Sequence, residues 1–456
     1  MYDIVVIGGG PGGYAAAIRA SQLGGRVVLV EADKIGGTCV NRGCIPSKIW
    51  LYAADLLDGI RDAGTFGIDV SLNGINVDAV VERINGVAGD IRMGMEGLLG
   101  YNQVKVVNGR AVLKNPKTVE VEGAIFDTQN IIIATGSRLD MPNVSGLEDV
   151  ATTSNQILEM KEIPESVLIW GAEPIEVEMA TFLNRFGSKV TIATDAARIL
   201  PREDRDSSQR VGQALRSEGV TILPRAHLSS VKPSKKGCTC RLSGSKDHTL
   251  DVEKILVGVR KANTAHMGLE QVGVHMEKDG RIPVNDRLQT TANGIFAIGD
   301  ATGGWMLSHA ASAMGIIAAE NAMGKTSKFH FDKVPRGIWT SPEVGAVGLT
   351  EEEAEKQGFE IEIGDFPYTI NGLAMAQDHL TGAVKIVSDA KYGKILGVHV
   401  VGKRATELVG EAVIAMELEA TVREFAKSLR VHPTFSETLV EASRDAANWA
   451  LYLQNR

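Results

Sequence analysis

Two cysteines in one short loop carry the first chemical signal of this chain. Cys39 and Cys44, spaced CxxxxC inside GGTCVNRGCIPSK at residues 36–48, are half of the four cysteines present. In a reducing compartment ordinary thiols stay reduced, and the disulfides that do form are mostly transient and catalytic, so this spacing points to redox exchange rather than a structural staple. Cys44 follows the turn residue Gly43 and opens an apolar-periodic run over residues 45–57 that predicts a helix. A thiol at a helix N-terminus has its thiolate favoured by the positive end of the dipole. Two other readings use the same residues: a pair of inert thiols, or half of a zinc site. Zinc would need two further soft ligands. The remaining cysteines, Cys238 and Cys240, lie in a distant Ser/Lys/Gly segment that predicts an exposed hairpin with no chemical role, and no metal site is expected.

Thiol–disulfide exchange needs a base to take the proton of the incoming thiol, and imidazole suits because it changes charge near neutral pH. His432, in VHPTFSE at residues 431–437, has Glu437 five positions later as a carboxylate able to orient it. By itself such a pair is more often a surface pair. It gains weight only beside the cysteines.

The elements that would position these groups read as nucleotide-binding units. Residues 2–7 are a short apolar strand, Gly8, Gly10 and Gly13 complete GxGxxG before a helix to about residue 23, and a second strand at 26–30 leads to Glu31. A tight glycine turn brings backbone N–H groups to a pyrophosphate at a helix N-terminus, while the acid accepts hydrogen bonds from a ribose. A dinucleotide is therefore expected here.

The string GGTCVNRGCIPSK resembles the redox signature of dihydrolipoamide dehydrogenases, within the pyridine nucleotide-disulfide oxidoreductase family. Further segments extend the resemblance along the chain. IIIATGS at 131–137, with Ala134, Thr135 and Gly136, and IFAIGD at 295–300, ending in Asp300, are similar to the family's flavin segments; WMLSHA at 305–310, with Met306, Leu307 and His309, is similar to its helix start at the flavin edge. The resemblance implies FAD as cofactor, with Gly37, Thr38 and Lys48 also in its site. It implies Cys39 as the thiol exchanging with substrate, Cys44 against the flavin, a Lys48–Glu178 pair nearby, and His432 with Glu437 as acid/base acting across a homodimer. The fold implied is α/β: an FAD-binding domain from residues 1–142 and 265–335, an NAD-type domain at 143–264, and an α+β dimerisation domain at 336–456. In the last, the sequence predicts a strand across 338–348, a helix opened by Thr350 with Glu353 as capping box, strands at 382–388 and 394–401, and two closing helices.

The second nucleotide unit departs from the pattern. Strand 167–170, helix 175–186 and strand 189–193 are in order, but the fingerprint reads Gly171, Ala172, Glu173, Pro174, Ile175, Glu176, with glutamates at the second and third glycine positions, and Thr194 stands where the acid is expected. Val259, Arg260, Lys261, Ala262 and Asn263 replace a Gly-Arg-x-Pro-Asn segment, and Arg198 and Arg202 give no NADP-type cluster. A carboxylate about 4 Å from a phosphate charge costs roughly 4 kcal/mol at an effective dielectric near 20, and each 1.4 kcal/mol is about tenfold in affinity. This leaves NAD doubtful as a cofactor and raises a protein electron acceptor in its place.

Length and composition bound the rest. The 456 residues suggest about three domains. A net charge of −8 argues against nucleic acid, and no apolar run is long enough to span a membrane. With no targeting segment seen, a cytoplasmic location is expected. The expected function is a dihydrolipoamide dehydrogenase-like relay of two electrons between a dithiol, on a lipoylated carrier protein or free, and FAD. The alternatives are a conventional NAD-dependent dihydrolipoyl dehydrogenase with a shifted NAD pose, another disulfide substrate, and a non-catalytic subunit binding lipoylated proteins. Mercuric reductases and large thioredoxin reductases are disfavoured because no cysteine follows Cys240.

Overall fold

The computed structural model describes residues 1–454. The first sheet is built on Tyr2–Ile7, whose last four residues are all buried, as expected of a parallel strand covered on both faces. It pairs in parallel with Val27–Glu31 on one side and Ala124–Ile133 on the other. Ile295–Ala297 joins this sheet far later in the chain, alongside Ile131–Ile133. The helix Pro11–Gln22 lies against the helix Ser308–Ala322 at backbone contact: a Cβ on Gly315 would sit 2.2 Å from the Gly12 carbonyl oxygen. Only glycine permits that approach.

A second parallel sheet centres on Ser166–Trp170, flanked by Lys189–Thr194 and Lys254–Val257. Its helix, Pro174–Arg185, packs on the helix Cys44–Asp62, which opens at Cys44 as its sequence predicts. Trp50 is the joint: its ring stacks on Phe182 at 5.6 Å, meets Phe186 edge-on at 5.2 Å, and its indole N–H donates to the Leu158 carbonyl at 3.0 Å. The cysteine loop is thus clamped between two nucleotide-type sheets. Beside the second sheet stands an antiparallel ribbon of Ala226–Ser234, Gly237–Gly244 and His248–Val252. Here the expected exposed hairpin is corrected: Cys238 and Cys240 are 1% and 0% exposed. They share the inner face of an alternating strand with Leu242, while their neighbours Thr239 and Arg241 turn outward.

The C-terminal sheet is antiparallel, in the order Arg336–Ile338, Val344–Gly348, Ile395–Val401, Ala383–Asp389, Ile361–Pro367. The single strand expected across 338–348 is two strands, because the Ser341–Pro342 segment turns the chain back on itself. Thr350 and Glu353 form the predicted capping box. Three closing helices replace the two expected: Ala405–Glu417, Val422–Lys427 and Glu437–Ala446. The extra one is started by a second capping box, Thr421 with Glu424.

Buried charges tie the sheets together. Arg336 Nε donates to both Glu203 oxygens, at 3.0 and 3.1 Å, and its guanidinium faces the Trp305 ring, which Arg202 covers from 3.9 Å. Lys385 is held by Asp204, Asp206 and Glu351. Removing one partner of a buried pair strands the other charge at a cost of about 3–5 kcal/mol, whereas replacing both with apolar groups is often neutral. Glu203→Ala is therefore expected to lower the thermal midpoint sharply, and Glu203→Leu with Arg336→Met to recover most of the loss. Equal losses in the single and paired variants would contradict this account.

Candidate active site

The cysteine loop crosses the first nucleotide turn through two glycines. Gly36 and Gly37 have φ of 93° and 55°, and a Cβ on Gly37 would lie 2.8 Å from Gly10 Cα. A short helix, Gly37–Arg42, carries Cys39. Asn41 fastens it by donating to the Ile35 and Gly37 carbonyls at 3.1 and 2.8 Å. Cys39 and Cys44 are free, half-buried thiols. The Cys39 thiol is hydrogen-bonded to Cys44, and Ser308 Oγ lies 3.3 Å from Cys44 Sγ. The Cys39 hydrogen bond is the largest influence pulling the Cys44 thiol down to about 6; burial and Glu178 oppose it, while Ser308 and the charge of Lys48 assist. Cys39 is pushed up, by holding the proton of that bond and by burial. One charge on Cys44 and one proton on Cys39 is thus the favoured state of the reduced pair.

Lys48 lies one turn along the same helix, with Nζ 2.7 Å from Glu178 Oε2 and 4.0 Å above the Trp339 ring. The Trp339 backbone N–H donates to the other Glu178 oxygen at 3.0 Å. The two residues are brought together as the resemblance implied.

The first nucleotide cradle keeps the space a dinucleotide needs. A Cβ on Gly8 would be 2.3 Å from the Ala134 carbonyl oxygen, and one on Gly13 would be 1.8 Å from that of Gly8. Glu31 ends its strand with Oε2 accepting from the Gly9 N–H at 2.6 Å. Thr135, next to Gly136, has a buried hydroxyl without a protein partner. Asp300 accepts from Ser137 Oγ at 2.6 Å; Arg260 donates to that same hydroxyl at 2.9 Å and to Thr38 Oγ1 at 3.3 Å. These residues fit FAD. Leu307 precedes the helix Ser308–Ala322, whose N-terminus faces Cys44 through Ser308, and Met306 enters it at φ 52°. His309 instead points to the Pro335 carbonyl oxygen, 2.7 Å from Nε2.

His432 stands apart. Its ring is 78% exposed, Nδ1 is 2.9 Å from Glu437 Oε1, and the Thr434 N–H donates to the other oxygen at 2.8 Å. No described contact joins it to Cys39 or Cys44 within one chain.

The second cradle corrects the simple expectation that both glutamates face a pyrophosphate. Glu176 turns inward and is fully buried, and its carboxylate occupies the space beside Gly171 and Gly258; a Cβ on Gly258 would be 2.5 Å from Oε1. Burial pushes its pKa up to about 7 against backbone hydrogen bonds from Glu176, Glu173 and Gly258, and Oε2 has no protein partner. Glu173 is exposed at the helix start. Thr194 spends its hydroxyl on the Ala196 N–H at 3.1 Å. Glu173, Pro174, Arg202, Trp305 and Leu307 line a small cavity of about 70 Å³ beside this turn. Ser137, Ser308 and Trp339 carried no sequence signal of their own. Arg260 did, but was read with the second cradle rather than the first.

The model of the pyridine nucleotide-disulphide oxidoreductase family matches residues 2–315, and that of its dimerisation domain matches residues 334–443. The chain belongs to the pyridine nucleotide-disulphide oxidoreductase family. Within this family it is 38% identical to the dihydrolipoyl dehydrogenase of Thermus scotoductus, over 100% of this chain and 99% of that one. It is 37% identical to a dihydrolipoyl dehydrogenase of Bacillus subtilis, over 99% of each chain. Among solved structures, LpdA of Mycobacterium tuberculosis superposes with a TM-score of 0.89 at 26% identity, covering 97% of this chain and 98% of that one. The HOCl-induced flavoprotein disulfide reductase RclA of Escherichia coli gives 0.84 at 28%, covering 96% and 98%. The protein is a dihydrolipoyl dehydrogenase-like, FAD-dependent disulfide oxidoreductase of mixed α/β fold, and its C-terminal domain is the one through which the family forms homodimers. No described helix is long and apolar enough to cross a membrane.

The electrostatics of the loop give a direct test. Lys48→Met removes a positive charge that favours the Cys44 thiolate and leaves Glu178 unpaired; both changes raise the thiol pKa. Alkylation of the reduced protein by iodoacetamide is expected to be half-maximal at about pH 6 in the unsubstituted chain, and about one unit higher in the variant. An unmoved profile would contradict the assigned role of the lysine.

Proposed function

We propose that this oxidoreductase exchanges two electrons with a dithiol of the dihydrolipoyl type, on a lipoylated carrier protein or free, through Cys39 and Cys44, and passes them on to a protein acceptor rather than to NAD(H). The first half rests on the polarised thiol pair beside the flavin cradle. The second rests on one observation: the buried Glu176 carboxylate fills the turn where the family's fingerprint leaves room for a pyrophosphate.

One substrate thiol loses its proton to His432, which Glu437 orients, and its sulfur attacks Cys39 in the Cys39–Cys44 disulfide. The S–S bond between the cysteines breaks, and its electron pair stays on Cys44 as thiolate. The second substrate sulfur then displaces Cys39 and releases the cyclic disulfide; Cys39 leaves with the proton held by His432, and His432 takes up the proton of the second substrate thiol, so the products are a Cys39 thiol, a Cys44 thiolate and a protonated base. The exposure of His432 supports its acting on the cysteine pair of a second copy. The Gly8–Gly13 turn, Glu31 and Asp300 would hold FAD, which would supply a two-electron acceptor beside the reduced pair. The Lys48–Glu178 pair holds a fixed charge beside that pair throughout. In the second cradle the buried Glu176 side chain takes up space beside Gly171 and Gly258, and the exposed Glu173 carboxylate stands at the helix start, where it would repel a pyrophosphate.

Rapid mixing under anaerobic conditions separates the two halves. Dihydrolipoamide is expected to reduce the oxidised holoenzyme quickly and NADH slowly. Glu173→Gly with Glu176→Gly is expected to speed the NADH reaction at least about tenfold, the effect of 1.4 kcal/mol, while leaving the dithiol reaction in place. Rapid reduction of the unsubstituted enzyme by NADH would make it a conventional NAD-dependent enzyme with the dinucleotide in a shifted pose. Failure of both reductants would leave a non-catalytic subunit.

A further inference from the structure

Ser308 is the first residue of the helix Ser308–Ala322, a position where serine often serves the helix itself. Here it does not. The residue preceding the helix is Leu307, no side chain caps the helix, and the Ser308 hydroxyl reaches the cysteine pair instead: it lies 3.3 Å from Cys44 Sγ, 264 positions earlier, and also favours a charge on the neighbouring Cys39. Cys44 is likewise the first residue of its helix. Two helix N-termini therefore converge on one sulfur atom, and both favour negative charge there. Either atom of the 3.3 Å contact could donate, but a thiolate has no proton to give, so once Cys44 is charged the donor is Ser308.

We infer that Ser308 is a catalytic residue of the exchange reaction: its hydroxyl holds the Cys44 thiolate during the interval in which Cys39 is bonded to substrate. This rests on the thiol relay proposed above. In the reduced pair the Cys44 sulfur has two neighbours able to donate to it, the Cys39 thiol and the Ser308 hydroxyl at 3.3 Å. When a substrate sulfur bonds to Cys39 and the Cys39–Cys44 bond breaks, the electron pair goes to Cys44 and the substrate's proton goes to the base. Cys39 then carries carbon and sulfur but no hydrogen, so it cannot donate. The largest support for the thiolate is lost when the thiolate is the leaving group that must persist. Ser308 is tied to a different helix, takes no part in the covalent step, and keeps its proton throughout. Lys48 adds charge from one turn away but is already engaged by Glu178 at 2.7 Å. A hydroxyl on a rigid helix start supplies what remains.

The mixed-disulfide interval is mimicked by Cys39→Ala, which removes the first donor for good. In that background the pH profile of Cys44 alkylation by iodoacetamide reads the thiolate directly, with or without FAD, and the buried Cys238 and Cys240 do not compete. Adding Ser308→Ala is expected to raise the midpoint by about one unit, a tenfold loss of thiolate at pH values below it; Ser308→Thr, which keeps a hydroxyl, is expected to stay near the Cys39→Ala value. With Cys39 intact the same Ser308→Ala change is expected to move the midpoint less, because a second donor remains. Coincident midpoints for Ala and Ser at position 308 in the Cys39→Ala background would overturn the inference. The thiolate–flavin charge-transfer absorbance of the reduced holoenzyme provides a second readout. Its absence from the unsubstituted protein would remove the relay on which the inference rests, whereas its presence with no shift in the Ser308 variant would remove the inference alone.

Discussion

A single negative charge on the Cys44 sulfur is the constraint around which this protein is built. A buried thiolate is costly, and burial alone drives a thiol the other way. The charge is held by three neighbours from two parts of the chain: Cys39 and Lys48, on either side of Cys44 in the 36–48 stretch, and Ser308 at the start of another helix. Each neighbour needs its own scaffold. Gly36 and Gly37 let the loop pass over the first nucleotide turn, Trp50 locks the cysteine helix to the second sheet, and Gly12 with Gly315 seats the Ser308 helix at backbone contact. The packing of large elements therefore sets the position of one sulfur within hydrogen-bonding tolerance.

The chain uses the strand-turn-helix unit twice and finishes it in opposite ways. In the first copy the glycines are kept, and a carboxylate closes the second strand and accepts from the Gly9 N–H. In the second, the chain supplies its own carboxylate: Glu176 sits in the turn beside Gly171 and Gly258 and is pushed close to neutrality by burial. An internal side chain thus stands where a phosphate would otherwise approach the helix start. The unit keeps its structural duty, because its helix still backs the cysteine helix and delivers Glu178 to Lys48. This separation accounts for a degraded fingerprint beside an intact ion pair in one helix.

What the sequence made legible was mostly local. The helix beginning at Cys44, the Thr350–Glu353 capping box and the first glycine turn are each written within a few residues, and each stands where it was expected. The Lys48–Glu178 pair spans 130 positions and came only from family resemblance. Ser308 with Cys44 and Arg260 with Asp300's partner Ser137 had no periodic or compositional mark, because a long-range polar contact leaves none in either strand of sequence. The two cysteines of the ribbon were misread for a different reason. Polar neighbours suggested exposure, yet the period of two in a strand puts Cys238, Cys240 and Leu242 on one inner face regardless of what lies between them. The stretch at 338–348 was read as one strand because its ends are both strand-like, and the turn at Ser341–Pro342 divides it.

The most direct measurement of the account is an anaerobic titration of the oxidised holoenzyme with dithionite, which donates electrons without regard to substrate specificity, combined with counting of alkylatable thiols. If the Cys39–Cys44 pair and FAD share electrons as described, the first two electrons should free two thiols and raise a long-wavelength thiolate–flavin band while the flavin itself stays oxidised. If those electrons instead bleach the flavin with no band and no newly reactive thiol, the two sulfurs are not part of the electron path and the account fails.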